Sequence, residues 1–349
     1  MSEPTVRGRF IWHELMTTDT KSAMDFYSQV IGWKTQAWSQ DVSYMMFVAK
    51  AGPMAGVMLL PEDAKAMGAH PTWLVYIGTP DVDETTRLAA ELGGKVLKSP
   101  ENIPSVGRFS VLQDPQGAVF AAFTPLEAPG EMKKPTLGDF SWHELTTTNW
   151  QAAFAFYERL FGWEKTESMD MGPGLGTYQM YGWKGITLGG MWNKPASMPA
   201  PPHWLAYTNV SDSRKAAAIV TKLSGRVVNG PMEVPGGSWM AQCLDPQGVL
   251  FAVHSPKPAE RKPAAAKPAA KKPAAAKKRA VKKAAPKKAA PKKAAKKRAA
   301  PKKRAKKAAR KKGTARKAAR KRPARTPARR KAAKRGAARK RGGAARKRR

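Results

Sequence analysis

Residues 8–33 read GRFIWHELMTTDTKSAMDFYSQVIGW, and residues 138–163 repeat the pattern as GDFSWHELTTTNWQAAFAFYERLFGW. Each copy has a short apolar run around Trp-His-Glu-Leu, then Thr with Asp or Asn, then apolar residues at helical spacing. Asp19 and Asn149 are predicted N-caps, because their side-chain oxygens can accept amide protons of the first helical turn. The stretch therefore predicts a strand, a cap and an amphipathic helix, duplicated within one chain.

The charge of the chain is unevenly distributed. The 349 residues carry a formal net charge of +39, yet the part before Lys257 holds 20 basic and 24 acidic residues. From Lys257 onward, the sequence contains 44 Lys and Arg residues and one acidic residue, Glu260. Nearly all large apolar residues lie in the first part, so only that part is expected to bury a core.

Cysteine content and hydropathy narrow the class of protein. The single cysteine, Cys243, excludes an intramolecular disulfide framework and a cysteine-rich zinc site. The first residues show no apolar run of the signal-peptide type, and no window reaches the roughly 18 apolar residues of a membrane span. We therefore expect a soluble, cytoplasmic protein.

The remaining sequence of the first part predicts more strands and helices in the same order. Residues 73–78 predict a strand, residues 81–92 a capped helix, and Asp114-Pro115-Gln116-Gly117 a tight turn between two closing strands. The second half repeats these features, including WLAY at 204–207 and DPQG at 245–248. The sequence therefore predicts four β-α-β-β-β modules and the α+β fold class.

Composition shifts mark the domain boundaries. We expect a first domain at residues 1–126, a linker rich in Pro and charge at 127–136, and a second domain at 137–255. Residues 256–349 contain almost only Lys, Arg, Ala, Pro and Gly, and are expected to be a disordered tail.

The WHEL…FY…GW start, the Gly93-Gly94 pair and the DPQG turn resemble the vicinal oxygen chelate superfamily, which includes glyoxalase I, bleomycin-resistance proteins and extradiol dioxygenases. The resemblance covers about residues 8–254 and implies tandem domains. In each domain, paired modules would curve around a pocket that commonly holds a divalent metal and a substrate.

The resemblance also implies where metal ligands would lie. The family positions fall on Trp12, Trp142, Ala121 and Ala252, and on the strands that begin near Trp73-Leu74 and Trp204-Leu205. None of these side chains coordinates a metal. No cofactor and no metal site are therefore predicted, and a divalent metal stays an open alternative.

Strand alternation separates the Trp-His-Glu residues. Trp12 and Glu14 share one face and His13 lies on the other. On this register, Glu14 and Glu144 face the pocket, where desolvation would favour a general base; the alternative is a structural acceptor. His13 and its repeat His143 are predicted to be packed rather than ligating. A register shift of one residue would exchange the two faces.

Aromatic residues near the predicted pocket suggest a wall for a flat or apolar ligand, although buried core is the alternative reading. The candidate substrate-binding residues are Trp12, Trp73, Tyr76, Trp142, Trp204 and Tyr207.

The C-terminal part is similar to the tails of linker histones. Its paired bases, spaced by Ala and Pro, are typical of a flexible polycation that binds phosphate backbones without reading sequence. The tail offers no membrane-seeking apolar face, so no membrane partner is expected. Representative candidate nucleic-acid-binding residues are Lys271, Lys272, Lys277, Lys278, Arg279, Lys302, Lys303, Arg304, Arg348 and Arg349.

Three functions remain open at this point. The first is a small-molecule-binding protein without the usual metal site, tethered to nucleic acid and associated with the nucleoid. The second is a metal-dependent lyase or dioxygenase that uses Glu14 and Glu144 as bases. The third is a nucleoid-packaging protein whose folded part is an interaction platform. Fold alone does not choose among them.

Overall fold

The computed structural model describes residues 6–38 and 44–256, which form two eight-stranded sheets with helices. The expected tail, with every basic residue named for nucleic-acid binding, lies outside the described residues. None of the helices in the described residues is long and apolar enough to span a membrane.

The first sheet contains the strands β1 (Phe10–Thr17), β2 (Lys34–Ala37), β3 (Met45–Ala49), β4 (Gly52–Leu59), β5 (Thr72–Gly78), β6 (Lys95–Ile103), β7 (Gly107–Gln113) and β8 (Val119–Pro125). Their order in the sheet is β2-β3-β4-β1-β5-β8-β7-β6. The central strands β1 and β5 run antiparallel, while β1 pairs with β4, and β5 with β8, in parallel. The helices of this half are α1 (Thr20–Val30), α2 (Glu62–Ala66) and α3 (Val82–Glu91).

The second sheet contains the strands β9 (Phe140–Thr147), β10 (Glu164–Asp170), β11 (Thr177–Trp183), β12 (Ile186–Asn193), β13 (His203–Asn209), β14 (Arg226–Glu233), β15 (Trp239–Leu244) and β16 (Leu250–Ser255). It repeats the topology of the first sheet, in the order β10-β11-β12-β9-β13-β16-β15-β14. Its helices are α4 (Trp150–Phe161) and α5 (Ser213–Lys222). The four predicted β-α-β-β-β modules and the α+β fold class are confirmed.

Helix α2 is a short helix in the polar connection between the two modules of the first half. Pro61 precedes the helix and Glu62 begins it. Lys65 Nζ lies 2.6 Å from Glu62 Oε1, an exposed i,i+3 pair. This acidic first turn with a basic partner suits a single short helical segment.

The predicted N-caps are confirmed. The Asp19 side chain accepts a hydrogen bond from Ser22 N at 3.0 Å, and the Asn149 side chain accepts one from Ala152 N at 3.0 Å. Helix α4 ends at Phe161 and is capped by Gly162, whose φ of +69° is the left-handed conformation that glycine adopts without strain.

The helices bury their apolar faces between the two halves of the chain. Phe26 and Tyr27 on α1 contact Phe251 on β16, with ring centroids 5.7 and 5.1 Å apart. In the reciprocal contact, Tyr157 on α4 lies 5.3 Å from Phe120 on β8. Two apolar clusters therefore each contain residues of both halves, so neither half completes its core alone.

The two DPQG turns join the halves further. Gln247 Oε1 accepts hydrogen bonds from Thr17 Oγ1, Thr18 N and Asp19 N at 2.5 to 2.9 Å, and Gln247 Nε2 donates to Asp19 O at 2.9 Å. Gln116 accepts in the same way at the start of α4, from Asn149 N at 3.0 Å. Each turn therefore hydrogen-bonds to the residues immediately before a helix in the opposite half.

Candidate functional site

Strand alternation on β1 and β9 places the glutamates and histidines on opposite sheet faces. Glu14 and Glu144 lie on faces whose apolar clusters contain no helical residue. His13 and His143 lie on the faces that pack between the halves. The register predicted from the sequence, with Trp12 beside Glu14 and His13 opposed, is the one observed.

We define the Glu144 cluster as Trp142, Glu144, Tyr178, Trp192, Tyr207 and Gln242. The hydroxyls of Tyr178 and Tyr207 donate to Glu144 Oε2 at 3.1 and 3.3 Å. Trp192 Nε1 and Gln242 Nε2 both lie 3.4 Å from Glu144 Oε1 as donors. Both carboxyl oxygens of Glu144 are therefore hydrogen-bonded by protein groups.

We define the Glu14 cluster as Trp12, Glu14, Tyr44, Tyr76, Phe109 and Phe123. The Tyr76 hydroxyl donates to Glu14 Oε2 at 2.8 Å. Trp12 Nε1 donates to the Tyr44 hydroxyl at 3.2 Å, and that hydroxyl lies beside the Glu14 carboxyl group. Glu14 Oε1 is buried and has no hydrogen-bond partner among the described residues.

Strand register explains why the two clusters differ. Gly56 is opposite Glu14 on β4 and Gly190 is opposite Glu144 on β12, so Met58 occupies the position of Trp192. Val111 is opposite Ala121 on β8, as Gln242 is opposite Ala252 on β16. The first half therefore lacks the indole and amide donors that satisfy Glu144 Oε1 in the second.

Gly56 and Gly190 allow the tyrosines to lie close to the sheet. A Cβ at Gly190 would overlap the ring of Tyr178, and one at Gly56 would overlap the Tyr44 hydroxyl and approach Glu14 Oε1 to 2.7 Å. Glycine at these positions is thus required for the tyrosine and carboxyl groups to approach each other.

Burial determines the protonation tendencies of both clusters. It raises the pKa of Glu14 and of Glu144, and the tyrosine hydrogen bonds oppose this only in part. Burial and the adjacent carboxyl groups also raise the pKa of Tyr76, Tyr178 and Tyr207 well above 10. These tyrosines are therefore neutral donors, and burial favours the protonated form of each glutamate.

The histidines form a separate buried pair between the halves. His13 Nε2 lies 2.8 Å from His143 Nε2, so one ring donates and the other accepts. Phe140 stacks on His13 at 3.7 Å and Phe10 stacks on His143 at 3.6 Å between ring centroids. Burial lowers the pKa of His143 to about 3 and, together with the neighbouring His143, holds the pKa of His13 well below 6.5.

Two predicted wall residues lie elsewhere. Trp73 Nε1 donates to the Tyr27 hydroxyl at 3.1 Å, and Trp204 Nε1 donates to the Tyr157 hydroxyl at 3.0 Å, both on the helix-covered faces. Tyr76 and Tyr207 follow these tryptophans by three positions. Because side chains alternate along a strand, an odd separation places them on opposite faces. Trp73 and Trp204 are core residues, not parts of a ligand wall.

The structure brings together Trp12 with Tyr76, and Trp142 with Tyr207, as predicted. It adds residues that the sequence reasoning missed, of which Tyr44 and Tyr178 are the most informative. Aligning YMMF at 44–47 with YQMY at 178–181 would have revealed this repeated tyrosine. No sequence signal pointed to Trp192 or Gln242, because the first half lacks them.

The donor atoms around Glu14 and Glu144 do not fit a divalent metal. Each cluster offers a single carboxyl group, with neutral tyrosine, tryptophan or amide neighbours, whereas such ions take several carboxylate, imidazole or thiolate ligands. Across residues 6–38 and 44–256, no group of three or more His, Cys, Asp or Glu is positioned to hold a metal ion. We derive no metal-dependent step from these clusters.

The fold and the clusters define a tandem α+β protein that carries one buried glutamate on the helix-free face of each sheet. The family model described as Glyoxalase/Bleomycin resistance protein/Dioxygenase superfamily matches residues 9–121 and again residues 140–253. The chain belongs to this superfamily, which confirms the resemblance read from the sequence.

Relatives and solved structures agree with this assignment. A Mycobacterium bovis protein named "Putative glyoxylase CFP32" is 30% identical over 253 residues, which are 71% of this chain and 95% of the relative. A Streptomyces protein (strain C5) named "Anthracycline biosynthesis protein DauV" is 27% identical over 258 residues, covering 70% of this chain and 92% of the relative.

The structural neighbours include the 2,3-dioxygenase LapB from Pseudomonas sp. KL28, with a TM-score of 0.52 and 12% identity over 73% of this chain and 94% of that one. A variant of homoprotocatechuate 2,3-dioxygenase from B. fuscum has a TM-score of 0.52 and 15% identity, covering 74% of this chain and 76% of that one. At these identities the similarity shows the fold alone.

Proposed function

We propose that the chain binds a small, largely apolar aromatic molecule on a helix-free sheet face, anchored by a buried glutamate, without a bound metal. The observation that carries the proposal is the buried Glu14 carboxyl group, which lies beside Trp12, Tyr44 and Tyr76 and retains an oxygen without a partner among the described residues. Aromatic walls with few polar groups are typical of small-molecule sites.

The relatives support an aromatic ligand class. One Streptomyces relative is named for anthracycline biosynthesis, which connects that protein with polycyclic aromatic molecules. A Mycobacterium relative is instead named as a glyoxylase. The aromatic side chains of the Glu14 cluster favour the first chemistry for this chain, because flat rings pack well against Trp, Tyr and Phe.

The test is a titration of the full-length chain with 1,4-dihydroxyanthraquinone, with and without a chelator. Tryptophan fluorescence and calorimetry measure the binding. We expect saturable binding that is unchanged by the chelator, and less than one divalent ion per ten chains in the purified protein. Failure of the probe to bind would reject the ligand class. Stoichiometric metal whose removal abolishes binding would favour the metal-dependent lyase or dioxygenase.

We further propose that residues 257–349 tether this ligand-binding part to nucleic acid in the cytoplasm, at the nucleoid. The supporting observation is compositional: 44 Lys and Arg accompany one acid in this stretch. Such a polycation gains affinity for phosphate backbones by releasing counterions, without sequence readout. The tail also suits a nucleoid-packaging protein, but a buried carboxyl oxygen without a partner among the described residues has no use in a pure packaging role.

Comparing the full chain with a chain that ends at Pro256 tests the tether. We expect the full chain to retard DNA of any sequence. If about ten phosphates are neutralised, log affinity should fall with log salt at a slope of about −9. The shortened chain should not retard DNA. Equal retardation by both chains would move the nucleic-acid site to the folded part and contradict the proposal.

A further inference from the structure

The two glutamate clusters are equivalent by repeat but not by hydrogen bonding. Glu144 accepts hydrogen bonds on both carboxyl oxygens. Two tyrosine hydroxyls donate to Oε2, and the side chains of Trp192 and Gln242 donate to Oε1. Glu14 accepts a hydrogen bond from Tyr76 on Oε2, and the Tyr44 hydroxyl lies beside the carboxyl group and also lowers its pKa. The buried Oε1 of Glu14 has no partner among the described residues. A buried carboxyl oxygen without a partner is costly, and a native structure that keeps one calls for an explanation.

The difference arises from two replacements. Met58 stands where the second half has Trp192, and Val111 stands where it has Gln242. Both replacements remove an N–H donor, and both side chains are smaller than their counterparts. The first half thus lacks the groups that complete hydrogen bonding to the glutamate in the second half.

We infer that the Glu14 cluster alone takes the ligand, that the ligand presents a phenolic or enolic hydroxyl to Glu14 Oε1, and that the Glu144 cluster is closed by its own side chains. This inference rests on the proposed function and specifies its site and chemistry.

The hydroxyl follows from the character of the carboxyl group. When the Glu14 carboxyl group is ionised, Oε1 accepts a hydrogen bond; when it is protonated there, Oε1 donates one. A hydroxyl satisfies both states, because it donates and accepts. Tyr76 already donates to Oε2, so Oε1, which lies near the Tyr44 hydroxyl, is the atom that the ligand completes.

The remainder of the ligand is neutral and aromatic. Phe109 and Phe123 flank Tyr76, with ring centroids 6.1 and 6.2 Å away. The cation at the margin, Lys98, lies 5.7 Å from the Phe109 ring centroid and is already 2.6 Å from Glu101. Because Lys98 is already paired with Glu101, it would not offset the repulsion between an anionic ligand and the buried Glu14 carboxylate.

The experiment titrates the full-length chain with 1,4-dihydroxyanthraquinone and with 9,10-anthraquinone, which lacks the hydroxyls, and records stoichiometry by calorimetry. We expect one site per chain and clearly tighter binding of the hydroxylated probe. Glu14→Gln should weaken the dihydroxy probe about tenfold, because the amide exchanges a charge-assisted hydrogen bond for a neutral one, and should leave anthraquinone binding unchanged. Glu144→Gln is the matched control and should leave both affinities unchanged.

A second pair of variants tests the same inference independently, in case the Glu14→Gln protein does not fold. Val111→Gln places an amide where the second half has Gln242, so it should reduce dihydroxy-probe binding while preserving the thermal melt. Gln242→Val should not reduce binding. Two sites per chain, or equal losses in Glu14→Gln and Glu144→Gln, would overturn the inference while leaving the proposed function standing. Absence of binding by either probe would instead reject the proposed function itself.

Discussion

His13 and His143 join the two halves through one hydrogen bond between neutral rings, 2.8 Å long and enclosed by Phe10 and Phe140. Two imidazolium rings at this distance would repel each other, and burial penalises even one. The pair is therefore a point at which acid should weaken the contact between the halves.

The pH dependence of stability has a defined sign. In the unfolded chain both histidines titrate near their ordinary value of about 6.5, whereas in the fold the pKa of His143 is about 3 and that of His13 is well below 6.5. Below about pH 6.5 the unfolded state binds more protons, so the free energy of unfolding falls as pH falls. Glu14 and Glu144, with raised pKa values, act oppositely: their contribution declines as pH rises above about 4.5.

We predict that His13→Gln will reduce the pH slope of stability between about pH 6.5 and 5 by close to one proton, or about 1.4 kcal/mol per pH unit. Gln can still hydrogen-bond to His143, which limits the loss at neutral pH. Urea unfolding at several pH values measures the slope, with the exposed His70→Gln as control. An unchanged slope in His13→Gln would show that this pair does not control acid stability.

At the scale of elements, the DPQG turns do more than reverse the chain. The side-chain amide of Gln247 hydrogen-bonds to the last residue of β1 and to the two residues that precede α1 in the opposite half. Asp245 Oδ1 accepts from Gln247 N and Val249 N at 2.8 and 2.9 Å, and its Oδ2 accepts from the Tyr27 hydroxyl at 3.2 Å. One turn thus holds its own loop and a helix of the other half.

We predict that Gln247→Ala will lower the free energy of unfolding by about 1–3 kcal/mol, because several donors at the start of α1 lose a shared acceptor. Gln29→Ala is the control, since this exposed side chain donates to Asp25 O within its own helix and should change stability by less than about 0.5 kcal/mol. Denaturant midpoints measure both. Similar effects from both substitutions would mean that water replaces the Gln247 contacts.

At the scale of the whole molecule, the two halves share their cores. Helices α1 and α5 belong to one of the two large apolar clusters, and helices α3 and α4 belong to the other, so each of these two clusters combines residues of opposite halves. The expected boundaries at residues 126 and 137 describe the chain order, but the packing ties the halves into one unit.

We predict that residues 1–126 or 137–255 expressed alone will not form a stable fold, because each half exposes large side chains that the other covers. Phe26 and Phe251, or Phe120 and Phe156, would each lose a partner, and full burial of such a side chain contributes about 1.5–3 kcal/mol. Near-ultraviolet circular dichroism and amide exchange measure folding, and co-expression of both halves should restore it. A cooperative melt from a single half would contradict this prediction.

The amino-acid sequence alone determined the modules, the caps and the face of Glu14, since these follow from local spacing: a period of two in strands, and cap residues before helices. It also contained the repeated tyrosine at 44 and 178, which an alignment of the halves exposes. The prediction that Trp73 and Trp204 line a ligand site was wrong, because aromatic character alone does not determine which face of a strand a side chain occupies.

Only the tertiary structure decided which groups complete each glutamate. Trp192 and Gln242 reach Glu144 from β12 and β15, strands whose pairing and register depend on long-range contacts. The exchange of helix packing between the halves, and the meeting of His13 with His143 across 130 residues, likewise depend on how the two sheets associate. Local periodicity sets the direction in which a side chain points, but its partner is set by the packing of distant segments.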